Sequence, residues 1–188
     1  MMRLAENVGS KRMINVDKRQ AIIITGPVGS GKTTVMATIT DILEEQNRPC
    51  AGVDMDHLRW FYPKQPGDPF GGEVGRKNLA FVAANYRSMG VSIIAIADMV
   101  ESDDDRQKLA EALPDFEVHV VRLRVPLSLV EERLRQRETI DRLPWYLDRA
   151  PELESIMDAR NIGDTVIEVG ERTPREVALE ICRRVGIM

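Results

Sequence analysis

Apolar residues in this chain follow two alternating rhythms. Short, nearly continuous apolar runs rich in β-branched residues give way to stretches in which apolar positions recur every third or fourth residue. The first run, Ala21-Ile22-Ile23-Ile24-Thr25, predicts a buried strand. Residues 34–46 carry Val35, Ile39, Ile42 and Leu43 at helical spacing. A second strand is predicted over 50–55. A helix over 73–89 then presents Leu79, Val82, Ala83 and Tyr86 on one face. Residues 91–97 form a third strand. Ser102 reads as the N-cap of a helix with Asp103, Asp104 and Asp105 in its first turn, ending near Pro114. The fourth strand covers 117–125, and Pro126 opens a helix carrying Leu127, Val130 and Leu134. A polar segment over 137–151 precedes a helix to about residue 160. The fifth strand covers 165–169. The last helix starts with a capping box, Thr173-Pro174-Arg175-Glu176. Residues 1–18 are polar and read as a loose arm with a short element around 13–16, and 19–188 read as one domain.

Strands spaced by helices mean an α/β fold, with a parallel sheet covered by helices on both faces. Right-handed crossovers place the C-terminal ends of the strands along one edge, where such sheets bind ligands. Polar residues just after a strand are therefore the first candidates for a site.

The strongest of these is Gly26-Pro27-Val28-Gly29-Ser30-Gly31-Lys32-Thr33, which matches G-x-x-x-x-G-K-[ST] at every fixed position. It lies between the first strand and the first helix, the setting in which glycines let backbone N–H groups curl around phosphate oxygens. The helix N-terminus adds favourable partial positive charge. Lys32 is expected to reach the β- and γ-phosphates and the Thr33 hydroxyl to join a Mg²⁺ shell, with Thr34 opening the helix beside them. The segment predicts binding of a nucleoside triphosphate with Mg²⁺.

Composition narrows this only a little. Hydrophobic residues make up 43% and charged residues 30% of the 188 positions, enough for a core and typical of a soluble protein. A net charge of -4 argues against nucleic acid as the main partner. No apolar run approaches a bilayer span, and no secretory segment is expected at the N-terminus, which suits a cytoplasmic chain. Cys50 and Cys182 lie far apart and predict two buried thiols rather than a disulfide or a metal site. His119 alternates with apolar residues in the fourth strand and reads as structural.

The second candidate is Asp54-Met55-Asp56, followed by His57, Leu58 and Arg59, at the end of the second strand. Strand alternation puts both carboxylates on the same side of the backbone. One could then serve the metal and the other accept a proton from an attacking hydroxyl, with Arg59 gripping the acceptor. Asp54 is the choice for the metal side and Asp56 for the base. A solvated acidic turn, with Asp56 capping a helix, is the competing reading.

Together, the phosphate loop, this Asp-x-Asp with its Arg, and an Arg-rich helix after the fourth strand resemble the P-loop kinases of small molecules. The likeness extends over about 20–185 and is nearest to the shikimate, gluconate, adenylylsulfate kinase and chloramphenicol phosphotransferase branch. The resemblance implies a three-layer α/β/α P-loop NTPase fold with five strands in the order 2-3-1-4-5, ATP as phosphoryl donor, and a mobile lid around 137–151. It also implies roles for Arg133 and Arg137, four apart on one helix face: the first lying on adenine, the second reaching the transferring phosphoryl group. Arg142 and Arg149 are weaker candidates, and Glu131 and Glu132 favour a plain solvated helix instead. Asp98, after the third strand, competes with Asp54 for the Mg²⁺ shell. The backbone over 170–173 lies where relatives pass over adenine.

Trp60, Phe61, Tyr62 and Phe70 either line an acceptor pocket or pack a helix onto the sheet. Further acceptor-binding motifs of the adenylylsulfate and shikimate kinases are not found, and a Pro/Gly-rich stretch over 63–75 fills that region. The reading that follows is transfer of the γ-phosphoryl of ATP to a hydroxyl of a small molecule. A polynucleotide 5′-hydroxyl or nucleotide kinase and a non-catalytic ATP-binding module are the alternatives. A GTPase is disfavoured, because no Asn-Lys-x-Asp follows the phosphate loop.

Overall fold

β1 (Gln20–Thr25) sits at the centre of a five-stranded sheet because both of its faces are apolar. Ile22 and Ile24 face one layer of helices and Ala21 and Ile23 face the other, and all four are fully buried. A computed structural model describes residues 19–188. The arm expected over 1–18, with its short element, lies outside the described residues.

The remaining strands are β2 (Cys50–Asp54), β3 (Ile93–Ala97), β4 (Glu117–Arg124) and β5 (Thr165–Glu168). All pairings are parallel and the order is β2-β3-β1-β4-β5, as the family resemblance implies. The fold is the three-layer α/β/α arrangement of P-loop kinases. α1 (Lys32–Glu45) and α7 (Pro174–Arg184) cover one face through Val35, Ile39, Leu43, Val177 and Ile181. α3 (Gly72–Ser88) and α4 (Asp103–Ala112) cover the other through Leu79, Ala83 and Leu109. The predicted caps are present: the Ser102 side chain accepts from Asp105 N–H, and Thr173 and Glu176 form the capping box of α7. Among the described residues no helix is long and apolar enough to cross a membrane.

The register matters for function. Ile24, Ala97 and Asp54 stand level across the sheet. The residues that follow each of them therefore emerge on a single edge.

Two predicted boundaries are corrected. β2 ends at Asp54 rather than at Met55, and a short helix, α2 (Met55–Leu58), starts immediately. The turn forms because Asp54 Oδ1 accepts from the Asp56 N–H at 2.9 Å, the N-cap bond of a new helix. The segment over 137–151 is not an extended polar stretch. After α5 (Leu127–Arg137) only residues 138–142 connect to α6 (Leu143–Ala159), which runs through Pro151. Proline removes one backbone bond there. Leu143, Tyr146, Leu147, Ala150, Leu153 and Met157 still share a buried or half-buried stripe at helical spacing, and that packing carries the helix through.

α6 is tied to the sheet by a buried cation. Arg122 of β4 is 1% exposed and reaches Glu154 Oε1 at 2.8 Å and Asp158 Oδ1 at 2.9 Å. Arg122→Ala leaves the Glu154 carboxylate with only Arg124 Nε, 3.7 Å away, and is expected to cost about 3 kcal/mol of stability in urea denaturation. On the same strand, His119 Nε2 lies 2.9 Å from Thr165 Oγ1 and links β4 to β5, which suits the structural role expected of it. Cys182 is buried, Cys50 is half-buried, and both are free thiols. Burial pushes the Cys182 thiol up to about 11.

Candidate active site

The phosphate loop turns sharply out of β1 because glycine stands where other residues would clash. Gly26 has φ 148°, and a Cβ there would come within 2.7 Å of the Leu123 carbonyl oxygen. Gly31, at φ 94°, is the residue before α1 and turns the chain into that helix. Between them the Ser30 hydroxyl is buried without a hydrogen-bond partner among the described residues.

Lys32 curls back over this loop. Its Nζ donates to the Gly26 carbonyl at 3.0 Å and the Pro27 carbonyl at 3.1 Å. Burial strips water from the ammonium and lowers its pKa from 10.5 to about 8, although the charges of Asp56, Asp98 and Asp54 oppose the shift and Arg137 adds to it. A cation held in this way gains from any anionic oxygen brought into the loop.

Thr33 meets the second candidate segment directly. Its hydroxyl donates to Asp54 Oδ2 at 2.7 Å. Asp54 thus uses one carboxylate oxygen to cap α2 and the other to hold Thr33. Asp56 does not lie beside it on a strand. It occupies the first turn of α2, with a side chain 90% exposed and Oδ1 3.7 Å from Arg59 Nε. The capping residue is Asp54, not Asp56. Capping and an outward-facing second carboxylate therefore coexist.

Arg59 is held on three sides. Its Nε donates to the Met55 carbonyl at 3.1 Å and lies near Asp56, and its Nη2 pairs with Asp98 Oδ1. Asp98 sits just past β3, is 8% exposed, and also accepts from the Met99 N–H at 2.8 Å. Burial pushes its carboxyl up, and the neighbouring Arg59 charge works against that.

Two cavities flank the loop. The larger, about 820 Å³, is lined by Val28, Lys32, Thr33, Asp54, Asp56, Arg59 and Asp98 together with residues of α3 and α6. The smaller, about 300 Å³, opens on the other side, where Gly29, Ser30, Gly31 and Thr34 face Arg133, Arg137 and Arg172. Arg133 Nη1 lies 3.5 Å from the Ser30 carbonyl oxygen. Arg137 is 60% exposed and pairs with Glu138 at 2.6 Å. Lys32, Thr33, Thr34, Asp54, Asp56, Arg59, Asp98, Arg133 and Arg137 thus lie in the loop or along one of its two cavities, whereas Arg142 lines neither.

The family is decided by sequence. A family model of adenylylsulphate kinase matches residues 18–137. The chain belongs to the adenylylsulphate kinase family. It is accordingly a P-loop phosphotransferase of the small-molecule kinase type. No protein of curated function matches it in sequence. Solved structures share its fold at low identity. A sugar kinase from Janibacter sp. HTCC2649 is 19% identical with a TM-score of 0.63, covering 90% of this chain and 95% of that one. A tunicamycin resistance protein from Deinococcus radiodurans is 23% identical with a TM-score of 0.61, covering 90% and 96%. A shikimate kinase from Acinetobacter baumannii is 20% identical with a TM-score of 0.57, covering 90% and 94%.

Against this family frame, the kinase's larger cavity holds side chains that sequence reasoning passed over or ranked low. Trp145, Tyr146, Arg149, Glu152 and Leu153 of α6 all line it. Their spacing is that of one helix face, a pattern visible in the sequence once Pro151 is not read as a breaker. Arg149 Nη2 bonds Glu101 at 2.8 and 2.9 Å, and its Nη1 lies 2.9 Å from Glu152. Of the four aromatics left between two readings, Trp60 is 83% and Tyr62 94% exposed. Neither packs a helix onto the sheet. Phe70, also exposed, lines the cavity.

Proposed function

We propose that this kinase transfers the γ-phosphoryl group of ATP to a hydroxyl of a small molecule seated in the larger cavity. The observation that carries the reading is the 2.7 Å bond between Thr33 and Asp54. It joins the phosphate loop to the Asp-x-Asp segment at the mouth of a cavity that also holds Asp56 and Arg59.

The residues present fit the donor. The Gly26 turn leaves no room for a side chain, Ser30 Oγ is an orphaned donor within the loop, and Lys32 is a desolvated cation. A hydroxyl and a carboxylate, both hard oxygen donors, suit Mg²⁺, which Thr33 and Asp54 would hold. When bound, Mg²⁺ supplies charge neutralisation to the triphosphate. The chain's own residues do the rest. Lys32 binds the β- and γ-phosphate oxygens. Asp56, exposed to the cavity, takes the proton from the attacking hydroxyl. Arg137 faces the phosphoryl group from the other side of the loop and stabilises its charge as 137–151 closes. Arg59 is oriented by Asp98, which makes Asp98 a positioning residue rather than a metal ligand in this reading. The adenine occupies the smaller cavity, between Arg133 and the segment carrying Arg172 and Pro174. A cytoplasmic setting, where ATP is abundant and thiols stay reduced, completes the proposal.

The test is ADP formation from Mg·ATP, with a panel of hydroxylated compounds scored against the acceptor-free rate. ATP that binds but is never turned over faster with any acceptor would remove the catalytic reading. Within the same assay, Arg133→Ala is expected to raise KM for ATP by about fivefold and leave kcat within about threefold. A stacking arginine supplies about 1 kcal/mol of binding that does not change in the transition state.

A further inference from the structure

The charges around the larger cavity bear on what the acceptor can be. Seven carboxylates and four cationic side chains line it. Lys32 belongs to the phosphate loop, which leaves three arginines for an acceptor, and each already has acidic company. Arg59 is engaged by Asp98 and Asp56. Arg149 is engaged by both oxygens of Glu101 and by Glu152. Arg76 shares the rim with Asp68: its Nη1 and Asp68 Oδ1 would stand 3.2 and 3.7 Å from a Cβ on Gly72. An anionic acceptor would have to displace one of these carboxylates from its arginine and then remain beside it, and like charges at close range disfavour that.

The rest of the lining is not polar. Phe70 on one side and Trp145 on the other expose 73% and 55% of their surface. Tyr146 packs edge-on against Trp145, with ring centroids 5.0 Å apart. Such faces gain by being covered with an apolar or aromatic surface. The whole cavity, about 820 Å³ with the Lys32–Thr33 corner that the donor's phosphates would fill, lies in the range of sites for drug-sized molecules.

Building on the kinase reading above, we infer that the acceptor is a hydroxylated molecule without an anionic group, uncharged or amine-bearing, with an apolar ring face that lies against Phe70 and Trp145. Arg59 then donates hydrogen bonds to hydroxyl or carbonyl oxygens of the acceptor instead of pairing with a carboxylate, sulfate or phosphate. Asp98 sets this preference by neutralising Arg59.

The experiment uses cyclic acceptor pairs that differ in one anionic group: glucuronate with glucose, shikimate with its methyl ester, adenosine 5′-monophosphate with adenosine. The chain has two tryptophans, so Trp60→Phe leaves Trp145 as the single fluorophore, at the wall of the cavity. Each compound is titrated by Trp145 fluorescence in the presence of Mg·ADP, and each is assayed for phosphoryl transfer from Mg·ATP. The expected result is that the uncharged member of each pair perturbs Trp145 at least tenfold more tightly. Asp98→Asn, which keeps the shape and frees the Arg59 charge, is expected to shift that ratio at least tenfold toward the anionic member. Equal or tighter binding of the anionic members overturns the inference. So does a ratio that Asp98→Asn does not move, or a Trp145 signal that no compound changes. If the pairs are discriminated by fluorescence but none is phosphorylated, the acceptor class stands and the kinase assignment of the site fails instead.

Discussion

Asp56→Asn is expected to leave ATP affinity within about threefold of wild type and to lower kcat for phosphoryl transfer by about a thousandfold. The two halves of this result follow from where the residue sits. Asp56 belongs to the first turn of α2, its side chain is 90% exposed, and it makes no contact with the phosphate loop of the kind Asp54 makes through Thr33. Its replacement therefore leaves the hydrogen bonds of the donor site in place, although Lys32 loses one of the carboxylate charges that hold its pKa up. Asparagine keeps the size and polarity of the side chain and loses only the ability to accept a proton, so the cost falls on chemistry. Asp54→Asn is the control. It weakens the acceptor side of the bond from the Thr33 hydroxyl, so its defect should be eased by raising the Mg²⁺ concentration, whereas that of Asp56→Asn should not. Single-turnover kinetics over a range of Mg²⁺ separates the two. If Asp56→Asn turned over at the wild-type rate, the base would have to be sought elsewhere in the cavity.

The fold could be read almost completely from periodicity, because buried parallel strands and the helices that cover them carry strong, separate rhythms. The five strands that periodicity predicts are those observed, and their order, which no periodicity reports, is the one the family resemblance implies. What could not be read was local competition. Asp54 ends a strand and precedes a residue, Met55, that would extend it; the strand stops because the Asp54 carboxylate captures the Asp56 N–H. No periodicity reports such a bond. In the same way Pro151 argues for a break, and a stripe of apolar contacts between α6 and its neighbours overrules it. The phosphate loop's place between β1 and α1 could be read directly, since its spacing is nearly unique. The acceptor side could not, because its wall is assembled from α2, α3 and α6, far apart in the chain. The pairs that define it, Arg59 with Asp98 and Arg149 with Glu101, span 39 and 48 positions.

Lys32→Met should lower kcat/KM for ATP by about a thousandfold, and its effect on stability distinguishes a buried catalytic cation from a structural one. The activity loss reflects a charge that would face the phosphates in a water-poor loop, where one such donor contributes about 3–4 kcal/mol to the transition state. Stability carries two opposing terms. Methionine removes an ammonium whose burial is unfavourable, as its lowered pKa of about 8 records, but it also leaves the Gly26 and Pro27 carbonyls without their donor. Below pH 8 these offset, and the variant should unfold within about 1 kcal/mol of wild type. Above it they separate. Between about pH 8 and 10.5 the unfolded chain holds the Lys32 proton and the folded chain has released it, so wild-type stability rises with pH relative to the variant. The full difference approaches 3 kcal/mol, measurable by urea denaturation without metal or nucleotide. A stability difference that stays flat across that window would mean the Lys32 ammonium is solvated in the free protein. The loop would then not hold a desolvated cation ready for the triphosphate.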